Sequence, residues 1–209
     1  MDRNTEIGGK VNYKEGIMSL RPAFELGLWN AWIIMVLNIL SGWVPHLIDR
    51  EASARGMANW KDLTRTQKLV ALITHGLIGT GLVVYSIFLP LQLGTVWLYV
   101  GLPICFLAMV MDLMAGFSFV ATPLDEPVAK WAYRISRHPA YFSGFLMYVG
   151  IGIACASWVF LLGAVVWIVS LQIGVVDEER FLLEKYGDSY REYMNITPRW
   201  IGIPKSGEQ

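Results

Sequence analysis

Residues 141–176 read YFSGFLMYVGIGIACASWVFLLGAVVWIVSLQIGVV and carry no charged side chain. Two apolar stretches, Tyr141–Ala156 and Trp158–Val176, meet at Ala156-Ser157-Trp158, a joint short enough to demand a reversal of direction. Each stretch approaches the roughly 20 apolar residues that a helix needs to cross hydrocarbon. The expectation is an antiparallel helical hairpin. Its two open ends are polar: Tyr133-Arg134-Ile135-Ser136-Arg137-His138-Pro139-Ala140-Tyr141 enters it, and Asp177-Glu178-Glu179 leaves it. A hairpin that crosses a bilayer and returns brings both ends to one face.

Working outward, three more windows have the same character: Leu28–Ile48, Leu69–Leu91 and Thr95–Phe117. The first is interrupted by Gly42 and Pro45, which neighbouring helices tolerate in a membrane. The 209 residues are 55% hydrophobic and only 16% charged, with mean hydropathy +0.44. A soluble domain of this size carries about 25% charged residues. The fold class expected is therefore all-α, an integral membrane helical bundle with about five transmembrane helices and a helical C-terminal tail. Residues 1–209 read as a single membrane domain, without repeat or linker. The formal net charge is zero, which excludes nucleic acid as an expected partner. The opening residues are mixed and polar, so no secretory leader is expected there, although Met18–Leu26 has the pattern of a short interfacial helix.

Cations set the expected orientation. Arg50, Arg55, Lys61, Arg65 and Lys68 follow the first window. Lys130, Arg134 and Arg137 precede the fourth, and Arg180, Lys185, Arg191, Arg199 and Lys205 lie in the tail. The other face has Arg3, Lys10, Lys14 and Arg21. The bias favours an odd number of crossings, with the N-terminus outside and the C-terminus in the cytoplasm. Trp29, Trp43, Trp97 and Trp158 stand at span ends as interface anchors, as does Trp60 in the polar connection. Cys105 and Cys155 both fall within apolar windows, so neither a disulfide framework nor a metal site is expected.

In the hairpin's fourth window Ser143, Gly144, Gly150, Gly152 and Ala154 would let a neighbouring helix approach closely. In the tail, Asp177–Lys185 continues the fifth helix beyond the membrane. Gly187 suits a left-handed cap, Asp188 the N-cap of a last short helix through Met194, and Pro198 a stop. Tyr186, Tyr190 and Tyr193 recur at helical spacing as a possible lid.

Chemistry concentrates at the hairpin's ends. Arg137 with the free amides of a helix that starts at Pro139 makes a seat for a carboxylate or phosphate. Equally, Arg and His at a membrane boundary serve as snorkelling anchors. Glu178 and Glu179 would attract a cation, or form a solvated helix end. Asp112 is an intramembrane acid, hence a functional candidate or a strut to Arg134 or Arg137. His75 and Asn38 fit interhelical hydrogen bonds or ligand contacts.

The pattern Tyr133-Arg134, Arg137-His138-Pro139-x-Tyr141, Gly144, apolar hairpin, Glu178-Glu179, Leu183, Tyr186-Gly187, Tyr190, Tyr193, Pro198 resembles the isoprenylcysteine carboxyl methyltransferase and phospholipid methyltransferase group. The likeness covers about a third of the chain. It departs at Trp131-Ala132, where the family often has Gly-Pro. The resemblance implies S-adenosylmethionine as methyl donor, bound within about residues 130–200. It implies cofactor contacts from Tyr133, Arg137, His138, Pro139, Tyr141, Glu178, Glu179, Tyr186 and Tyr190, with Arg137 and Glu179 as catalytic positions. It also implies a lipophilic or lipid-modified acceptor, either an isoprenylcysteine-like carboxylate or a lipid headgroup, entering from among membrane lipids. Membrane sterol reductases share an Arg-His-Pro-x-Tyr segment and bind a nicotinamide dinucleotide. Paired glutamates would repel its phosphates and favour the methyl donor. A non-catalytic assembly protein is the third reading.

Overall fold

The computed structural model describes residues 24–51 and 64–203, and within them every regular element is helical. The helices are α1 (Trp32–Ile48), α2 (Arg65–Ser86), α3 (Val96–Val120), α4 (Pro139–Ala154), α5 (Trp158–Tyr186) and α6 (Asp188–Ile196). A 3₁₀ turn at Trp131–Arg134 precedes α4. Each of the five apolar windows has become a helix. Three of them, α2, α3 and α5, are long and apolar enough to cross a membrane, whereas α1 and α4 are shorter apolar helices. At 1.5 Å per residue, the 16 residues of α4 reach about 24 Å, short of a full hydrocarbon core. Phe106, Leu162, Val165, Val169 and Ile173 point outward as an exposed apolar belt, as lipid requires. This is an integral membrane protein.

The window expected to open at Leu28 begins its helix four residues later, at Trp32. The backbone before it is held by the α2–α3 connection. Buried Asn30 donates to the carbonyls of Glu25 and Ile87 (2.6 and 2.8 Å), the Ala31 amide to Leu89, and the Leu91 amide to Trp29. Helix α2 starts on a capping box, with Thr64 and Gln67 each accepting the other's amide. It then widens to a π-helix over Leu72–Gly79 before returning to α geometry. The interfacial helix expected at Met18–Leu26 lies largely outside the described residues, and Trp60 lies wholly outside them.

Close packing rests on small residues, as the sequence suggested. A Cβ on Gly150 of α4 would lie 2.6 Å from Cys105 Sγ and 2.9 Å from the Cys105 amide of α3. Gly116 of α3 likewise faces the Pro45 ring of α1, so the proline that interrupts α1 seats that helix against its neighbour. Gly144 faces the Trp167 ring across the hairpin. Asp112 is no strut to Arg134 or Arg137. It accepts a hydrogen bond from Ser143 of α4 (3.2 Å), the nearer partner on the helix packed against it. The tail helix also differs in one respect: Gly187, with φ +58°, occupies the junction, and Asp188 is the first helical residue rather than the cap.

Candidate functional site

Pro139 opens α4 at its first position, and α5 runs unbroken past the apolar stretch to Tyr186. The two polar ends of the hairpin consequently meet. His138 and Glu179, 41 positions apart, approach to 3.2 Å between Nε2 and Oε1. Both are buried.

Glu179 is the centre of a cluster of cations. Arg137 Nη1 lies 3.0 Å from Oε1, and Arg199 grips both oxygens, Nε to Oε1 at 3.1 Å and Nη2 to Oε2 at 2.6 Å. Two-point binding by a guanidinium is among the stronger polar contacts available to a protein. The charge on Glu179 in turn holds the Arg199 guanidinium above its ordinary pKa. Arg199 arrives on the segment after α6, which is strapped along the entry loop. The Arg137 amide donates to Pro198 O (2.9 Å), the Gly202 amide to Ile135 O (3.2 Å), and the Ser136 hydroxyl to Arg199 O (3.2 Å). Ser136 Oγ also accepts the His138 amide, and Tyr193 Oη donates to Tyr133 O at 2.7 Å. The amides of Arg137 and His138 are therefore already engaged. The Arg137 guanidinium is partly engaged: Nη1 forms the ion pair with Glu179, and Nε is buried with no hydrogen-bond partner among the described residues.

Glu178 has a different environment. Its side chain is 38% exposed, and Oε2 accepts the Tyr141 hydroxyl at 3.0 Å. His138 Nδ1 stands 3.7 Å away, beyond hydrogen-bond length, while its ring stacks parallel to Tyr141 with centroids 5.7 Å apart. Adjacent helix residues point about 100° apart. One rotation along α5 thus separates an inward, fully paired carboxylate from one that opens on a cavity.

That cavity holds about 460 Å³ and lies between α2, α5, α6 and the entry loop. Of the residues expected from the sequence, Tyr133, Arg137, Tyr141, Glu178, Tyr186 and Tyr190 line it. His138, Pro139 and Glu179 stand behind its wall, buried. Tyr193 completes the aromatic side. Burial pushes the phenols of Tyr190 and Tyr193 well up, so both stay neutral hydrogen-bond donors. Sequence reasoning did not foresee that α2 lines the site: Gln67 and Thr74 lie on the cavity, together with His75, which the sequence offered as an interhelical partner or a ligand contact. It also read Arg199 as a topology charge only; its place directly after the stop at Pro198 was the one available signal.

Residues 94–189 match the phospholipid methyltransferase family. The matched segment runs from the turn before α3 to the first residues of α6, a little under half of the chain. It includes Arg137-His138-Pro139 and Glu178-Glu179, and excludes α1, α2 and Arg199. No curated protein is similar enough to count as a match. The family match supports methyl transfer on a lipid-like substrate, the class that the hairpin motifs suggested. The paired ends of the hairpin, where the match and the cavity overlap, are the candidate active site.

Proposed function

We propose that the protein transfers a methyl group from S-adenosylmethionine to a lipophilic acceptor at the cytoplasmic face of the membrane. The observation that carries this reading is the complementary pair lining one cavity, the half-exposed carboxylate of Glu178 and the guanidinium of Arg137. The amino-acid end of the methyl donor carries both an ammonium and a carboxylate, which suits these two partners, and its adenosine suits the tyrosines Tyr141, Tyr186 and Tyr190. The cavity volume falls in the range of small-molecule sites, about 300–1,000 Å³. When bound, the donor supplies an electrophilic methyl carbon. The chain's own work is to orient the reactants and exclude water, which together account for much of the rate of a displacement. Glu178 holds positive charge, Arg137 anchors negative charge, and Glu179 fixes Arg137 rather than touching ligand. The binding part extends beyond residues 130–200, because α2 supplies one wall. The charge bias puts the N-terminus outside and the tail inside. The acceptor is a lipid headgroup or a lipid-attached group that enters from the bilayer.

Calorimetric titration of the detergent-purified protein with S-adenosylhomocysteine and, separately, with NADPH tests the reading. Saturable binding of the first, weakened at least tenfold in Glu178→Gln with folding intact, is expected. Saturable NADPH binding without S-adenosylhomocysteine binding overturns it in favour of a reductase.

A further inference from the structure

Helix α2 lies outside the matched family segment, yet His75 from its π-helical turn lines the cavity. Its ring is held in place on two sides. The edge packs against Trp167, with centroids 5.2 Å apart at 65°, and Nδ1 lies 2.9 Å from Thr74 Oγ1. The fully buried Thr74 hydroxyl has a single proton, which goes to the Val70 carbonyl at 2.7 Å. Thr74 Oγ1 can only accept from the ring, so Nδ1 carries the ring proton. In a neutral imidazole the other nitrogen then has the lone pair. A π-turn of this kind often marks a functional position, because it re-aims side chains that an α-helix would place elsewhere.

We propose that His75 Nε2 is the proton acceptor for methyl transfer, and that the site is consequently built for an acceptor bearing an N–H or S–H rather than for a carboxylate. The inference rests on the methyl-transfer reading above. In the step, a lone pair on the acceptor's nitrogen or sulfur forms the bond to the methyl carbon. The carbon–sulfur bond of the sulfonium breaks and leaves its electron pair on sulfur. The acceptor's proton passes to Nε2, giving an imidazolium that releases it to water at the cavity mouth. A carboxylate acceptor would have no proton to lose and no use for the base.

The first test does not depend on turnover. Nitrogen-15 NMR of the full-length, ¹⁵N-histidine-labelled protein in micelles reads the tautomer of each of its 3 histidines, assigned with His46→Gln and His75→Asn. The expected result is a proton on Nδ1 and none on Nε2 of His75, with a shift towards the other tautomer in Thr74→Val. A proton on Nε2 in the wild-type protein overturns the proposal. The second test compares methylation of dodecylamine, dodecanethiol and dodecanoate. His75→Asn should lower amine or thiol transfer about 100-fold, the usual contribution of a general base, with S-adenosylhomocysteine affinity kept within about twofold. Transfer to dodecanoate alone, unaffected by His75→Asn, overturns the proposal. Failure of the wild-type protein to bind S-adenosylhomocysteine would instead sink the parent reading, whatever the tautomer.

Discussion

Replacing Glu179 by Gln should unfold the site, whereas replacing Glu178 by Gln should only empty it. The contrast follows from the surroundings of two adjacent carboxyls. Glu179 is 4% exposed and meets Arg137, His138 and Arg199, at 3.0, 3.2 and 2.6 Å. An amide in its place removes the negative charge and turns N–H groups towards side chains that are themselves donors. Removing one partner of a buried ion pair costs about 3–5 kcal/mol, because the opposite charge stays buried without compensation. The lower end applies here, since the Arg199 side chain is 36% exposed and can recover hydration. For a chain of this length about 1 kcal/mol corresponds to roughly 2–4 °C in melting temperature. The midpoint of Glu179→Gln in detergent should therefore fall by about 6–12 °C. Glu178→Gln loses one half-exposed contact to Tyr141 and should melt within about 3 °C of the parent, while its affinity for S-adenosylhomocysteine drops at least tenfold. A thermal-shift series read by intrinsic tryptophan fluorescence, paired with calorimetry, separates the two effects. Equal melting losses in both variants would refute the division of roles, as would a Glu179→Gln protein that melts like the parent.

Substitutions at four further positions probe the frame. Gly150→Ala places a methyl 2.9 Å from the Cys105 amide, which cannot yield as a side chain would, and should cost about 1–3 kcal/mol in thermal melts. Gly81→Ala, with nothing within 4 Å, should instead gain up to about 1 kcal/mol from helix propensity. Trp131 has φ +47°, a left-handed backbone costing roughly 1–2 kcal/mol for a side-chain-bearing residue. Trp131→Gly should melt within about 3 °C of the parent, whereas Trp131→Val should melt lower than either. Tyr193→Phe deprives the Tyr133 carbonyl of its 2.7 Å donor and should cost about 1–2 kcal/mol, measured by the same melts.

The helical frame was legible because its signal is local. The uncharged run from Tyr141 to Val176 and the joint at Ala156-Ser157-Trp158 specify a hairpin without help from the rest of the chain. Pro139 and Gly187 mark its ends by their backbone needs alone. Errors arose where a distant partner overrides a local pattern. Leu28 to Ala31 look as apolar as the helix that follows, but Asn30 reaches across to Ile87 and delays the start. Asp112 has cations nearby in the sequence-level topology, yet the hydroxyl of Ser143 is what packs against it. The departure at Trp131-Ala132 takes on meaning only with the dihedral angle known: a tryptophan occupies a left-handed position where the related sequences often use glycine. His75 and Arg199 carried only weak signals, a polar residue in an apolar window and a place after Pro198. The packing of α2 and the strap after α6 bring them to the site.

The strap gives the paired glutamates a common logic. A helix emerging from the membrane has no covalent restraint on its rotation, so the direction of Glu178 must be fixed by contacts. Glu179 supplies them by facing the entry loop through Arg137 and His138 and the chain beyond α6 through Arg199. Because neighbouring residues on α5 diverge by about 100°, locking one determines where the other points. The segment after α6 is thereby coupled to the cavity without lining it. Arg199→Ala, at a residue outside the cavity lining, should weaken S-adenosylhomocysteine binding several-fold by loosening this register. Arg199→Lys keeps the charge but loses the two-point grip, and should restore only part of the affinity. Full recovery with lysine would show that charge alone suffices, and the geometric role assigned to the guanidinium would then fall.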